Sequence, residues 1–182
     1  MNDLVEDMKM FEWAGIAIGD EETFRLQKSI RRHAAISGAT ELRFWGKINC
    51  TLNDYWILEG ELTESEETEV PREVESRGTG VNKKVYWVTN NILEDWIQLP
   101  DANPAHILSS QTIKHLMTGD LNAPLNTCPP FPGKERHFLR AQIARISHAN
   151  TIAPTGLYGD AEDENIKDPV IQADFTIPSV LE

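Results

Sequence analysis

Three pairs of neighbouring aromatic residues, Phe44 with Trp45, Tyr55 with Trp56 and Tyr86 with Trp87, lie on short runs of aromatic and branched residues. These runs, LRFWGKINC, YWILEGEL and VNKKVYWVTN, have the composition of β-strands. Successive side chains of a strand point to opposite faces, so the two rings of a pair cannot enter one core together. The pattern calls for a sheet covered on both sides, by other layers of the same chain or by another subunit. Turn formers collect at Leu52, Asn53 and Asp54 between the first two runs, which predicts a β-hairpin, and WIQLP after NILED predicts a further strand.

Helices are signalled at three places. Leu4, Val5, Met8 and Phe11 recur at helical spacing between a possible cap at Asn2 or Asp3 and a stop at Gly15. Asp20 is placed to cap a second helix, with Glu21 and Glu22 near its positive end and Gly38 as its stop. Asn103 followed by Pro104 opens a third, which Ile107, Leu108, Ile113, Leu116 and Met117 extend to Thr118 and Gly119. Pro124, Pro129, Pro130 and Pro132 make the following stretch a loop of polyproline character. HFLRAQIARIS suits a helix through Leu139, Ile143 and Ile146 and a strand through Leu139, Ala141 and Ile143, and is read as a strand. The expected fold is α+β: N-terminal helices, a mainly antiparallel or mixed β-sheet, and one further helix. Residues 1–158 are expected to form one domain, in which 61–80 is an acidic, mobile surface insertion, and 159–182 an acidic, partly ordered tail.

The chain has 29 acidic and 17 basic residues, a formal charge of −12, which repels polyanions and argues against nucleic-acid binding. Its densest basic stretch, Lys134, Arg136, His137, Arg140 and Arg145, is interleaved with apolar residues instead of forming a basic face. Cys50 and Cys128 lie far apart with no CxxC partner, which fits a reducing compartment. No apolar run approaches the roughly 20 residues that cross a bilayer, and MNDLVEDMKM is acidic where a secretory signal is basic. A cytosolic or cytoskeletal address is expected.

The residues that carry chemistry elsewhere give no positive signal here. No two of His33, His106, His115, His137 and His148 have the spacing of a helical zinc motif. GTG at 78–80 lacks a third glycine and is followed by a strand where phosphate binding needs a helix N-terminus. The acidic runs 64–69 and 160–164 lack the glycine and closing glutamate of a calcium loop and read as solvated faces. No nucleophile elbow occurs. The sequence therefore yields no catalytic residue, metal ligand or cofactor site, and an enzyme is not expected.

Taken in order, RFWGKI with DYWILEGEL, GTGVNKKVYWVTN, WIQLPDANPAHI, TGDLNAPL, PPFPGKE and LRAQIARIS, preceded by FEWAGIAIGDEETFRL, resemble the radial spoke head protein 4/6 family. The resemblance runs from about Leu4 to Tyr158. It implies a non-catalytic scaffold subunit of the radial spoke head in the axoneme of motile cilia and flagella, where central-pair signals pass to dyneins. The implied partners are other spoke head subunits, including a second family copy or paralogue and the smaller spokehead-like subunit. Two departures stand out: the acidic insertion is shorter than in many relatives, and the chain stops near Leu181 without a C-terminal region usual in the family, as a fragment would. Trp45, Trp56, Trp87, Trp96, Phe131, Arg140 and Arg145 are the candidate partner-interface residues, with packing of the rings on both sheet faces as the other reading. The alternative function is a non-catalytic module that binds an extended peptide by strand addition.

Overall fold

The computed structural model describes residues 4–12, 14–16, 18–62, 74–149, 158–159 and 170–171. Most of the insertion expected at 61–80, and most of the tail expected at 159–182, lie outside the described residues. Two units are distinguished, Met1–Arg145 and Ile146–Glu182. In the second, the strands β5 (Tyr158–Gly159) and β6 (Val170–Ile171) pair antiparallel.

The first unit is α+β, as the sequence indicates. Helices α1 (Leu4–Glu12) and α2 (Asp20–Ser37) precede β1 (Ala39–Ile48) and β2 (Tyr55–Leu62), then β3 (Val85–Thr89), β4 (Ile97–Gln98), α3 (Pro104–Thr112) and α4 (Glu135–Ala149), of which the residues from Ile146 on are counted with the second unit. The four strands form one antiparallel sheet in the order β1-β2-β3-β4. The β1–β2 hairpin turns at the predicted place, and register slips between Thr40 and Arg43 and between Phe44 and Gly46 mark bulges in β1. Such bulges twist an edge strand and interrupt its ladder. Glu41, within the first irregularity, has φ +45.

Helix α2 differs from expectation at its first residue. Gly19 stands at the N-cap and Asp20 already lies in the first turn with Glu21 and Glu22. Their charges meet the positive end of the helix dipole, and the Thr23 hydroxyl donates back to the Gly19 carbonyl at 3.0 Å. Gly38 closes the helix in the left-handed conformation, φ +63, which a residue without Cβ adopts at no steric cost. Helix α3 starts as predicted: the Asn103 side chain accepts from the Ala105 N–H at 2.8 Å with Pro104 behind it. It ends at Thr112, not at Thr118, because the chain turns extended at Ile113 and carries Ile113 and Met117 into the core.

The stretch read as a strand, HFLRAQIARIS, is helical and belongs to α4. Its buried positions are Glu135, Phe138, Leu139, Arg140, Ala141 and Ile143. Two charged side chains thus sit on the covered face, and they break the apolar period that announces a helix.

Both faces of the sheet are covered. On one, Tyr55, Ile57, Tyr86 and Val88 pack with Phe138, Leu139 and Ile143 of α4 and with Ile113, Met117, Leu121, Leu125 and Phe131 of the irregular chain before it. On the other, Trp56, Leu58, Val85 and Trp87 pack with Leu26 and Ile30 of α2, and Ile92 and Trp96 complete the layer. Gly60 leaves room there: a Cβ would lie 3.0 Å from Leu42 Cδ1 and 3.2 Å from Trp87 Cζ3.

Candidate functional site

The most densely bonded polar group among the described residues is the Glu135 carboxylate, 1% exposed at the start of α4. Its Oε1 accepts from the Tyr55 hydroxyl at 2.8 Å and the Gly119 N–H at 2.8 Å, and its Oε2 from the Thr118 hydroxyl at 2.8 Å. The Thr118 N–H reaches both oxygens, at 3.0 and 2.9 Å. A buried carboxylate is costly unless its lone pairs are filled, and here hydroxyl and amide donors fill them at the positive end of a helix. Burial and Glu135 together push the Tyr55 phenol well above its ordinary value, so it stays a donor.

This carboxylate fixes a junction. Met117 and Thr118 also hold the hairpin turn: Thr51 N–H donates to Met117 O at 3.0 Å and Leu52 N–H to Thr118 O at 2.9 Å. The Asn90 side chain, just past β3, donates to Asp54 O at 3.2 Å and Gly119 O at 3.1 Å. Gly119 has φ +98, and a Cβ there would run into the Asn53 backbone. Four separate stretches, 51–54, 90, 118–119 and 135, thereby share one set of bonds. Cys50 lies beside them, and burial with the Glu135 charge raises its thiol pKa to about 11, far from nucleophilic activation.

A second junction surrounds Arg140, 3% exposed. Its guanidinium lies 4.7 Å from the Tyr86 ring centre, and Nη2 donates to Val81 O at 3.0 Å and Asn82 Oδ1 at 3.2 Å. Nη1 is buried without a hydrogen-bond partner. Burial lowers the Arg140 pKa, opposed by Tyr86 and Asp101. Asn82 bridges onward, donating to Ala102 O at 3.2 Å and Glu75 O at 2.9 Å and accepting from Ala102 N–H at 2.8 Å. The GTG segment is part of this lock: Gly80–Asn82 form one 3-10 turn, and Val81 N–H donates to the Glu75 carboxylate at 2.7 Å.

The sequence-predicted interface residues divide by location. Trp56, Trp87 and Trp96 are buried in the α2-side core and Phe131 in the α4-side core, while Trp45 and Arg145 are half-buried. Trp96 Nε1 donates to Ser29 Oγ at 3.0 Å, and Arg145 Nη1 to Ser110 O at 2.8 Å. The structure brings Arg140 and Phe131 to the same side of the sheet and sets the three tryptophans on the other. Sequence reasoning missed Glu135 and Asn82; PPFPGKE and GTGVNKK contain them, and nothing in those strings marks either as buried.

Two clefts of about 450 and 460 Å³ have different linings. The first, beside α1, α2 and β1, carries Asp7, Glu41 and Arg43, and Arg43 is already paired with Glu59. The second, beside α3, is mainly apolar, with Val81, Ile107 and Leu108. His106 and His137 approach with ring centres 5.0 Å apart, yet each is committed: His106 Nε2 to Pro132 O at 2.9 Å and His137 Nδ1 to the Lys134 N–H at 3.1 Å. Among the described residues no three His, Cys, Asp or Glu side chains are grouped to hold a metal, and no helix is long and apolar enough to cross a membrane. The geometry is that of a body locked from several sides.

Comparison with known proteins places this architecture. The family model described as "Radial spokehead-like protein" matches residues 1–76 and 64–175. The chain is 34% identical over 197 residues to human "Radial spoke head protein 4 homolog A", covering 88% of this chain and 27% of that protein. It is 31% identical to "Radial spoke head protein 6 homolog A" of Xenopus tropicalis, with 88% and 38% covered. It is 37% identical to "Flagellar radial spoke protein 4" of Chlamydomonas reinhardtii, with 64% and 30% covered. The chain thus spans 27 to 38% of the length of these relatives.

Proposed function

The chain belongs to the radial spokehead-like family, and on that premise we propose that it is a non-enzymatic structural part of a radial spoke head in the axoneme of a motile cilium or flagellum. Its partners in this reading are other spoke head subunits, including a second family copy or paralogue and the smaller spokehead-like subunit. Its contribution to movement is to hold geometry while central-pair contacts are relayed towards dyneins. The family match carries the proposal. The two junctions support it: buried charge is spent on tying loops to the sheet through Glu135 and Arg140, which gives rigidity without turnover.

Strand addition has less support. Of the two edges of the sheet, β1 carries two irregularities of register together with Arg43 and Lys47, and β4 is only two residues long, both devices by which edge strands resist pairing.

The test is the position of the tagged chain in a motile ciliated cell, followed by salt extraction of isolated axonemes. Periodic axonemal signal and release together with spoke head subunits are expected. A diffuse cytosolic signal, or release by mild salt without any spoke subunit, overturns the proposal.

A further inference from the structure

The loop that leads into α4 is clasped by two imidazoles. Lys134 stands at the N-cap of α4, since its carbonyl accepts the first helical bond from the Phe138 N–H at 3.3 Å. Three residues on, His137 Nδ1 reaches back and accepts from the Lys134 N–H at 3.1 Å, the place that a glutamate or glutamine side chain takes in a capping box. From α3, His106 Nε2 bonds to Pro132 O at 2.9 Å, and its ring centre lies 5.0 Å from that of His137 and 5.4 Å from that of Phe131. Phe131, 6% exposed, stands edge-on to Phe138 at 5.4 Å. Gly133 lets this closure form, because a Cβ there would lie 3.1 Å from both His137 Nδ1 and Phe131 Cε1. The titratable groups around the pair are cationic or already bonded. Lys134 and Arg136 flank His137 on its own element, His106 faces it from α3, and His115 lies edge-on to Phe138 at 6.3 Å. Glu135 gives its carboxylate to Tyr55, Thr118 and Gly119. Among the described residues neither imidazole is bonded to a carboxylate.

We propose that His137 is a titratable helix cap and that segment 131–134 is an acid-operated latch, seated on α3 and α4 while both rings are neutral and released when they take up protons. Three effects act together. A protonated Nδ1 is a donor and gives up the Lys134 N–H. A cation in the first turn of a helix opposes the positive end of its dipole. Two imidazolium rings 5.0 Å apart, with Lys134 and Arg136 beside them, repel with no carboxylate to bridge them. In the closed loop burial first, then His106 and Arg136, hold the His137 pKa below the ordinary 6.5. The open loop takes up its proton at the ordinary value, so closure is complete above about 6.5 and weakens as the pH falls below it. Glu135 keeps its bonds over this range, since its donors are amides and hydroxyls and the Tyr55 phenol is pushed further from titration. The release is therefore local: the junction at Glu135 stays, and the Phe131 ring becomes available beside α3 and α4. The inference stands apart from the spoke-head reading, since the latch is measured on the chain by itself.

The test is amide hydrogen exchange followed by NMR on the full 182-residue chain, read as protection factors between about pH 7.5 and about pH 5.5, with the His106 and His137 rings titrated in the same samples. Protection of the Lys134 N–H should fall by about three- to tenfold, tenfold being what proton uptake one unit below the ordinary histidine value allows. The Gly133 amide should follow, while the Thr118 and Gly119 amides change by less than about twofold. His137→Asn keeps an acceptor for the Lys134 N–H but takes up no proton, and should hold the Lys134 protection constant within about twofold. His106→Gln keeps a donor for Pro132 O and removes one charge, so the His137 midpoint and the release of Lys134 should both move up in pH by the same amount. The proposal is overturned if Lys134 protection changes by less than about twofold while His137 titrates, if Thr118 and Gly119 lose protection in step with Lys134, or if His137→Asn keeps the full pH dependence. Should His137→Asn fail to fold, the wild-type chain decides alone: release that tracks the His137 ring supports the latch, and release at another midpoint overturns it.

Discussion

The two faces of the β1–β4 sheet are closed by different materials. The α2 side is closed by a regular helix and by indole rings, with Trp56, Trp87 and Trp96 against Leu26 and Ile30. The other is closed by α4 together with irregular chain from Ile113 to Phe131. A helix satisfies its own interior backbone groups, so the α2 side needs few polar fixtures. Irregular chain does not, and there buried Glu135, Arg140 and Asn82 supply the missing partners. One side therefore rests on area and shape, the other on a bonded set in which each member supports several stretches. Removing a group should damage the second side more sharply per atom than the first.

The largest expected effect lies at Glu135. Glu135→Ala leaves the Thr118 and Gly119 amides and the Tyr55 hydroxyl without their acceptor, and should cost about 4 kcal/mol in urea unfolding. Glu135→Gln keeps the shape and one carbonyl acceptor but turns an amide donor towards existing donors, so about half that loss is expected. If the two substitutions cost the same small amount, the bonded set is not what holds this side, and the contrast between the faces fails. Next comes Gly119→Ala, which strains a φ of +98 and pushes a methyl group against the Asn53 backbone. A loss of about 3 kcal/mol in the same assay is expected.

The α2 side sharpens the comparison from the tolerant end. Trp96→Phe removes the donor to Ser29 and part of a ring, but Ser29 can redirect its hydroxyl and neighbouring apolar groups remain. About 1.5 kcal/mol is expected in urea unfolding, well below the Glu135→Ala loss. A loss as large as that of Glu135→Ala would show that the indole layer is as brittle as the polar one.

This same division explains how much the sequence disclosed. The α2 side was legible: branched and aromatic residues in β2 and β3, a helix stopped by Gly38, and paired rings that require cover on both faces. Asn103 with Pro104 also marked its helix start. On the other side the buried groups are of types that usually face water. The alternation of Leu139, Ala141 and Ile143 made HFLRAQIARIS read as a strand although Arg140 between them is buried on α4, and nothing local in PPFPGKE distinguishes Glu135 from a solvated acid. The premature end of α3 has the same origin, since Ile113 and Met117 reach the core as extended chain and obey no helical period. Polar burial depends on partners distant in sequence, such as Tyr55 for Glu135 and Val81 for Arg140, so a single sequence does not display it.

The smallest predicted effect concerns pH, and each face supplies one histidine to it. His33 on α2 stands edge-on to Trp87 at 5.3 Å with Nε2 buried and unbonded, and burial lowers its pKa, with Asp95 opposing and Arg32 adding to the shift. His137 on α4 is lowered by burial first, then by His106 and Arg136, with a smaller opposing influence of the Lys134 backbone. Both folded-state values lie below the ordinary 6.5, so on acidification the unfolded chain takes up protons first. The stability these neutral rings contribute is complete above that value and drains away as the pH falls below it. Protonated His137 also loses its acceptor for the Lys134 N–H and confronts cationic neighbours on its own face, whereas Asp95 partly compensates His33. Lowering the pH from about 7.5 to about 5.5, above the usual carboxylate range, should therefore lower the melting temperature. His137→Gln should flatten that dependence more than His33→Phe. The reverse order would place the acid-sensitive contact on the indole side and undo the contrast drawn between the two faces.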